Sequence, residues 1–392
     1  MKHHSFLLVI VGLLLFYACG NKTDSPTSSM TSTDLSQMDR VEIKDQRQIP
    51  VDSVIEKIDY VKLGETGDVL VGQVTHLLFT PDHIIVGDAD QAKAIFIFDR
   101  AGNSQAVINR LGRGPQEYQG ITDIDISPDQ QKIIVLDSWG DKLLTFDMNG
   151  NFLNKQTFTP FSRVVKWLDP ETILIGISGG DNPELDTYTT KEDLLLFMDS
   201  TLQFKYSAFP NRFNSDIFKF DPLVVKRFDD RVLISVPYSD TIYQYTSHGI
   251  QPRYKLDMEE VDGIANFGKD MTNEKLRQIK NDHTTFPHIY VESDDFSLFY
   301  LSKDKIMFPV LFNKNNKQTY NITAHQSRTA LGEYILWSAF SHKNQFVSVV
   351  PAFEFLTFCP DVPGVELRNE IKVGLTDEDN PVLLFYTLKE PK

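Results

Sequence analysis

The stretch KLLTFDMNGN, Lys142–Asn151, has a near copy 48 residues earlier, AIFIFDRAGN, Ala94–Asn103. Each gives alternating apolar residues, then Phe-Asp, two more residues, and Gly-Asn. Upstream, TPDHIIVGDADQAK corresponds to SPDQQKIIVLDSWGDK as turn, strand and acidic turn. Looser copies follow at Asp193–Phe204, Asp240–Ile250 and Lys317–Gln326. In the second copy four short runs have strand patterning: Thr122–Ser127, Lys132–Leu136, Lys142–Asp147 and Phe152–Phe158. Four strands in a repeat of about 40–50 residues mark a β-propeller blade. A doubly wound α/β fold needs helical segments between its strands, and the repeats contain none.

The chain's ends set the blade count. Tyr334–Phe340, Asn344–Phe353 and Asn380–Lys389 supply three strands of a last blade, and Val54–Gly64 supplies the fourth from the other end of the sequence. Exchange of this kind closes the ring and removes open sheet edges. The expected fold is all-β: a six-bladed β-propeller over 51–392, its N-terminal strand closing the last blade. Two short helices are expected in insertions. Thr272 can cap Asn273–Asp282, and Val365–Leu375 places Val365, Leu367, Ile371 and Leu375 near one stripe.

The loop RLGRGPQEYQGITDIDIS, Arg110–Ser127, fits this frame. A phosphate-binding loop would read GxxxxGK[ST] and open a helix whose amides hold the anion. Here Pro115 follows Gly114 and a strand follows Gly120, with no lysine at the required place. It reads as a connector between the first and second blades.

Residues 1–18 have a basic start at Lys2, an apolar core from Phe6 to Phe16 and a small residue at Ala18, the pattern of a secretory leader. Cys19 directly after Ala18 gives the pattern of a bacterial lipoprotein leader, in which the cysteine is acylated. Residues 19–50 begin rich in Ser and Thr and read as a flexible tether. With 39 basic and 54 acidic residues, a net charge of −15, the chain lacks the basic surface that nucleic acid demands. If Cys19 is acylated, only Cys359 remains and no internal disulfide can form.

The run NRLGRGPQEYQGITDIDIS, followed by IIVLDSWGDKLLTFDMNGNFL, resembles the six-bladed β-propeller lipoproteins of Bacteroidota, relatives of the NHL-repeat propellers. The resemblance covers roughly Val54–Lys389 and is strongest in the first two blades. It implies an exported propeller lipid-anchored at the outer membrane, and brings no catalytic residues with it.

In a blade of four antiparallel strands, the loop between strands two and three and the connector to the next blade open on one face. The long stretches Ser178–Asp193, Glu259–Phe286 and Phe353–Asp379 all fall on that face with the Arg110–Gly120 connector. Three long loops together favour a binding surface. Candidate ligand-binding residues there are Arg113, Glu117, Tyr118, Asp137, Trp139 and Tyr238, with Asp88, Asp90, Asp141 and Asp240 near them. Carboxylates beside exposed aromatics could grip a glycan, a peptide or an envelope protein. An aspartate at a strand end also commonly caps its own turn.

Catalytic signals are few. His76, His83, His248, His283, His288, His325 and His342 are scattered, without HExxH or paired cysteines. No GxSxG elbow occurs. Asp123 and Asp125 alternate along an inner strand, where a channel calcium ion would need further oxygen ligands. Two functional classes follow. One is a non-catalytic binding or scaffold protein; the alternative is a propeller enzyme, a lyase or lactonase using a channel metal.

Overall fold

The computed structural model describes residues 38–43, 47–177, 182–188, 193–210, 224–236, 239–258, 273–323, 337–358 and 374–391. Its strands form six separate sheets, each an antiparallel meander of four strands numbered here from the central channel outward. Blade one comprises His76–Phe79, His83–Asp88, Ala94–Asp99 and Ser104–Ile108. Blade two comprises Asp123–Ile126, Lys132–Asp137, Lys142–Asp147 and Phe152–Thr157, almost the bounds read from the repeat. Blades three, four and five begin at Ser162, Val224 and Thr285.

Blade six is assembled from both ends of the chain. Phe340–His342, Gln345–Val350 and Val382–Leu388 are its first three strands, and Ile55–Lys62 is the outermost. The closing pair runs antiparallel from Val382↔Lys62 to Leu388↔Ile55, and the Lys389 amide donates to the Val54 carbonyl at 2.8 Å. The expected closure is what the structure has.

Strand patterning explains why the ring is stable. A blade is buried on both faces, so its middle strands are continuous apolar runs, and the two-residue period sends neighbours to opposite interfaces. Ile133 and Val135 pack toward blade one with Ile85, Ile95 and Ile97, whereas Ile134 and Leu136 pack toward blade three with Val165 and Ile175. Sliding a strand by one residue would exchange these sets and disrupt both interfaces. The core is therefore a ring of interblade layers.

Two features depart from the sequence reading. The tether expected over 19–50 does not extend to residue 50. Asp39–Glu42 adds a parallel fifth strand to the outer edge of blade four, and Arg47–Pro50 does the same on blade five. Val41 and Ile49 are buried there, so alternate apolar residues in an otherwise polar stretch were the missed signal. One expected helix, α1 (Asn273–Asp282), is present, while 365–373 of the other lies outside the described residues. A helix α2 (Ala352–Phe358) instead opens that insertion. Its first two residues fall in the strand expected over Asn344–Phe353 and the rest in the insertion expected to follow.

Candidate functional site

The blade topology places α1, α2 and the short 3-10 turn Pro183–Thr187 on the face that also carries the blade connectors, here termed the insertion face. The opposite, smooth face carries tight turns between first and second strands and between third and fourth. Asp99 and Asp147 organise two of the latter. Each accepts the amides two and four residues ahead at 2.8–2.9 Å, together with the side-chain amide of Asn103 or Asn151. That is the physical content of the repeated Phe-Asp…Gly-Asn pattern.

On the insertion face the connector motif proves to be architecture. The Glu117 carboxylate folds back to accept the Gly114 amide at 2.7 Å. A Cβ at position 112 would lie 2.1 Å from that carboxylate, so any larger residue there must push the Glu117 side chain aside; no left-handed backbone is involved. The Lys142 amine donates to the carbonyls of Glu117 (2.8 Å) and Gly114 (3.2 Å), clamping the loop to blade two. Tyr118 is fully buried. Its hydroxyl lies 2.9 Å from the carbonyls of both Ile108 and Lys93, and burial pushes its pKa up to about 12. Tyr118 therefore cannot meet a ligand, and Glu117 is occupied by its own turn.

Asp137 is equally unavailable. It is fully buried and accepts the amides of Gly140 (3.0 Å) and Gln119 (2.9 Å), tying a strand end to the incoming connector. In the preceding blade Asp88 has the same role, accepting the amides of Gly72, Gln73 and Gln91, each at 2.8 Å. Asp240 pairs with Lys255 at 2.9 Å. Arg113 and Asp90 are exposed, and Tyr238 lies outside the described residues.

Trp139 stands apart. It is 71% exposed, and its ring makes an edge-to-face contact with Phe161, at 5.4 Å between centroids and 71° between planes. Its backbone and its ring neighbour are tied down. The Gln119 side-chain amide donates to the Trp139 carbonyl at 3.0 Å, and Asn182 brackets the Phe161 backbone with bonds of 3.2 and 3.1 Å. Beside it, Asp141 is held above the usual carboxylate range by partial burial and by the charges of Glu184 and Asp137. Phe161, Asn182 and Glu184 were not legible in the sequence, because they come from another blade and its insertion.

The wider distribution is one-sided. Of the ten exposed large apolar side chains among the described residues, seven lie in connectors or beside second-to-third-strand loops: Leu70, Leu111, Trp139, Ile306, Met307, Trp337 and Phe353. Only Leu153 and Phe204 begin strands at the smooth face; Ile289 is on an inner strand.

The channel is crossed by ion pairs from the inner strands. Asp125, fully buried, is gripped by Arg227 of blade four through Nε–Oδ1 (2.6 Å) and Nη2–Oδ2 (2.8 Å), and also accepts the Trp167 amide. Asp123 meets Lys166 at 2.6 Å and His76 at 3.2 Å. Burial raises the Asp123 carboxyl, but the Lys166 ammonium and the His76 hydrogen bond more than offset this and leave it below the ordinary value. Near the smooth face, Asp229 joins His342 at 2.7 Å. Asp123 and Asp125 are neutralised by Lys166 and Arg227, so the calcium site considered for them does not fit. Among the described residues no three His, Cys, Asp or Glu side chains gather as a metal site. Lys226 faces no carboxylate among the described residues; its amine donates to the Tyr290 carbonyl at 3.0 Å, and burial pushes its pKa down to about 8.

Fold and site together define a six-bladed propeller whose channel is braced by salt bridges and whose apolar exposure is concentrated on one face. The chain belongs to a family of domains of unknown function, DUF4934, matched over residues 36–387. No curated protein matches the sequence. Among solved structures, a Bacteroides fragilis protein assigned to the exported class is similar at a TM-score of 0.70 and 18% identity, over 90% of this chain and 100% of that one. A DUF4221 family member from Bacteroides vulgatus gives 0.46 and 12% over 86% and 97%. Virginiamycin B lyase from Staphylococcus aureus gives 0.36 and 9% over 68% and 75%. The first likeness shows the fold, and nothing is built on the other two.

Proposed function

We propose that this protein is an exported propeller, lipid-anchored through Cys19 at the outer membrane, which works by binding through its insertion face and catalyses nothing. The exposed indole of Trp139, set edge-to-face against Phe161, carries this reading. A turn between two strands gains nothing from indole, whereas an aromatic that keeps its surface in water is a ready anchor for a sugar ring or an apolar side chain. The neighbouring carboxylates Asp141 and Glu184 supply hydrogen-bond acceptors, and Arg113 a donor. The partner is a glycan, a peptide or another envelope protein. Export is supported by the leader pattern of residues 1–18 and by the likeness to a protein assigned to the exported class.

Photocrosslinking in cells tests the reading. A photoreactive residue at Arg113 or Trp139 should give a discrete adduct, and one at Asn149 or Asn315 on the smooth face should give none. Adducts confined to the smooth face would overturn it.

A further inference from the structure

The N-terminal segment passes along three successive blades before the ring begins: Asp39–Glu42 on blade four, Arg47–Pro50 on blade five and Ile55–Lys62 in blade six. The first of these has a defined direction. Asp39 is held by Lys317 at 2.7 Å and by Arg253 at 3.3 Å, and Lys317 ends the turn between the third and fourth strands of blade five, on the smooth face. Glu42, at the other end, is in register with Asp257, where the insertion before α1 begins. The chain thus joins the propeller from the smooth side and runs toward the insertion face. Parallel pairing of four residues and burial of Val41 fix that direction.

We propose that this strand sets the orientation of the anchored protein, with the smooth face toward the membrane and the insertion face, with Trp139, away from it. The inference rests on the lipid anchor at Cys19 proposed above. Residues 20–38 separate Cys19 from Asp39. Nineteen residues span at most roughly 65 Å when fully extended, which bounds how far Asp39 can stand from the bilayer. The smooth face is unsuited to lying in lipid. Asp99, Asp147 and Asp199 each hold a turn there, and hydrogen bonds from the turn keep each carboxyl below its ordinary value and ionised. Lys317 and Arg231 stand on the same face, so the direction of the N-terminal strand, and not surface charge, sets which face is turned to the membrane.

The test uses the full chain, with Cys359→Ser, acylated in a bacterial host and reconstituted in phosphatidylethanolamine–phosphatidylglycerol vesicles carrying a headgroup energy acceptor. A fluorophore is placed through Leu111→Cys on the insertion face or Asn149→Cys on the smooth face. Quenching should be at least twofold stronger at position 149, and Asp39→Ala with Val41→Asp should bring the two toward equality. Equal quenching in the parent, or stronger quenching at 111, overturns the proposal. The same probes on a chain whose residues 1–19 are replaced by a histidine tag, bound to nickel-chelating vesicles, separate the two claims. Stronger quenching at 149 there supports the orientation even if Cys19→Ala leaves membrane partition unchanged and the lipid anchor fails. Equal quenching there overturns the orientation however Cys19 behaves.

Discussion

Substituting the pair that spans the channel asks whether its centre is bracing. Asp125 and Arg227 come from blades two and four, 102 residues apart, and their side chains are 0% and 10% exposed. Two charges about 4 Å apart interact by roughly 4 kcal/mol at the effective dielectric suited to proteins. Breaking a buried pair by removing one partner costs about 3–5 kcal/mol, because the other charge is stranded. Asp125→Asn keeps the shape and an acceptor for the Trp167 amide but strands the guanidinium; Arg227→Met strands the carboxylate. Each should lower urea unfolding stability by about 3 kcal/mol or more, with little change in the denaturant slope. The double substitution removes both charges and should cost no more than either single one, about 3 kcal/mol, which is a coupling of about 3 kcal/mol or greater. Additive single effects, each within about 0.5 kcal/mol of the parent, would refute the bracing role and show the channel open to solvent.

Further expectations concern acid, the connector and the N-terminal strands. Asp123 and Asp229 have folded carboxyl values below their ordinary ones. Their contribution is complete above the unfolded value near 3.9 and is lost as pH falls through the lowered folded values, so stability should be flat in this respect above about pH 5 and fall steeply below about 4. Asp123→Asn should shrink that acid slope; an unchanged slope would remove Asp123 from the cause. Tyr118→Phe, which removes a hydroxyl bridging two carbonyls, should cost about 1–2 kcal/mol by urea unfolding, and a neutral result would contradict the bonds described. Beginning the chain at Val51 removes the two added strands and should destabilise the ring while leaving one cooperative transition, whereas deleting Ser53–Leu63 opens blade six and should abolish cooperativity or cause aggregation. A parent-like transition in the second deletion would contradict closure.

The fold was legible because a propeller writes itself locally. The interblade interfaces impose continuous apolar strands, and the turns impose Asp, Gly and Asn at fixed offsets, so blade two could be bounded to within a residue or so at each strand. The closing strand was legible because one blade lacked a partner. Val41 and Ile49 were passed over, since each belongs to a run of only four residues whose alternation is brief and sits in a polar segment. The site was harder. Glu117, Tyr118 and Asp137 have the chemistry of ligand-binding residues, yet their polar atoms bond backbone groups of their own and neighbouring blades. The channel pairs were missed for the opposite reason: Asp125 and Arg227 are distant in sequence, and only closure of the ring brings them together. Trp139 and Arg113 are the candidates left in solvent, and an indole there contradicts local turn chemistry.

Replacing Trp139 therefore tests the central claim most directly. With 71% of the residue exposed, Trp139→Ala should cost less than about 1 kcal/mol by urea unfolding, well short of the roughly 3–5 kcal/mol for deleting a buried large aromatic. The same variant, immobilised as residues 20–392, should lose the glycan or protein that the parent retains from envelope extract, while Asn149→Ala on the smooth face retains it. Undiminished retention by Trp139→Ala, or a stability loss of core size, would contradict the insertion face as the working surface.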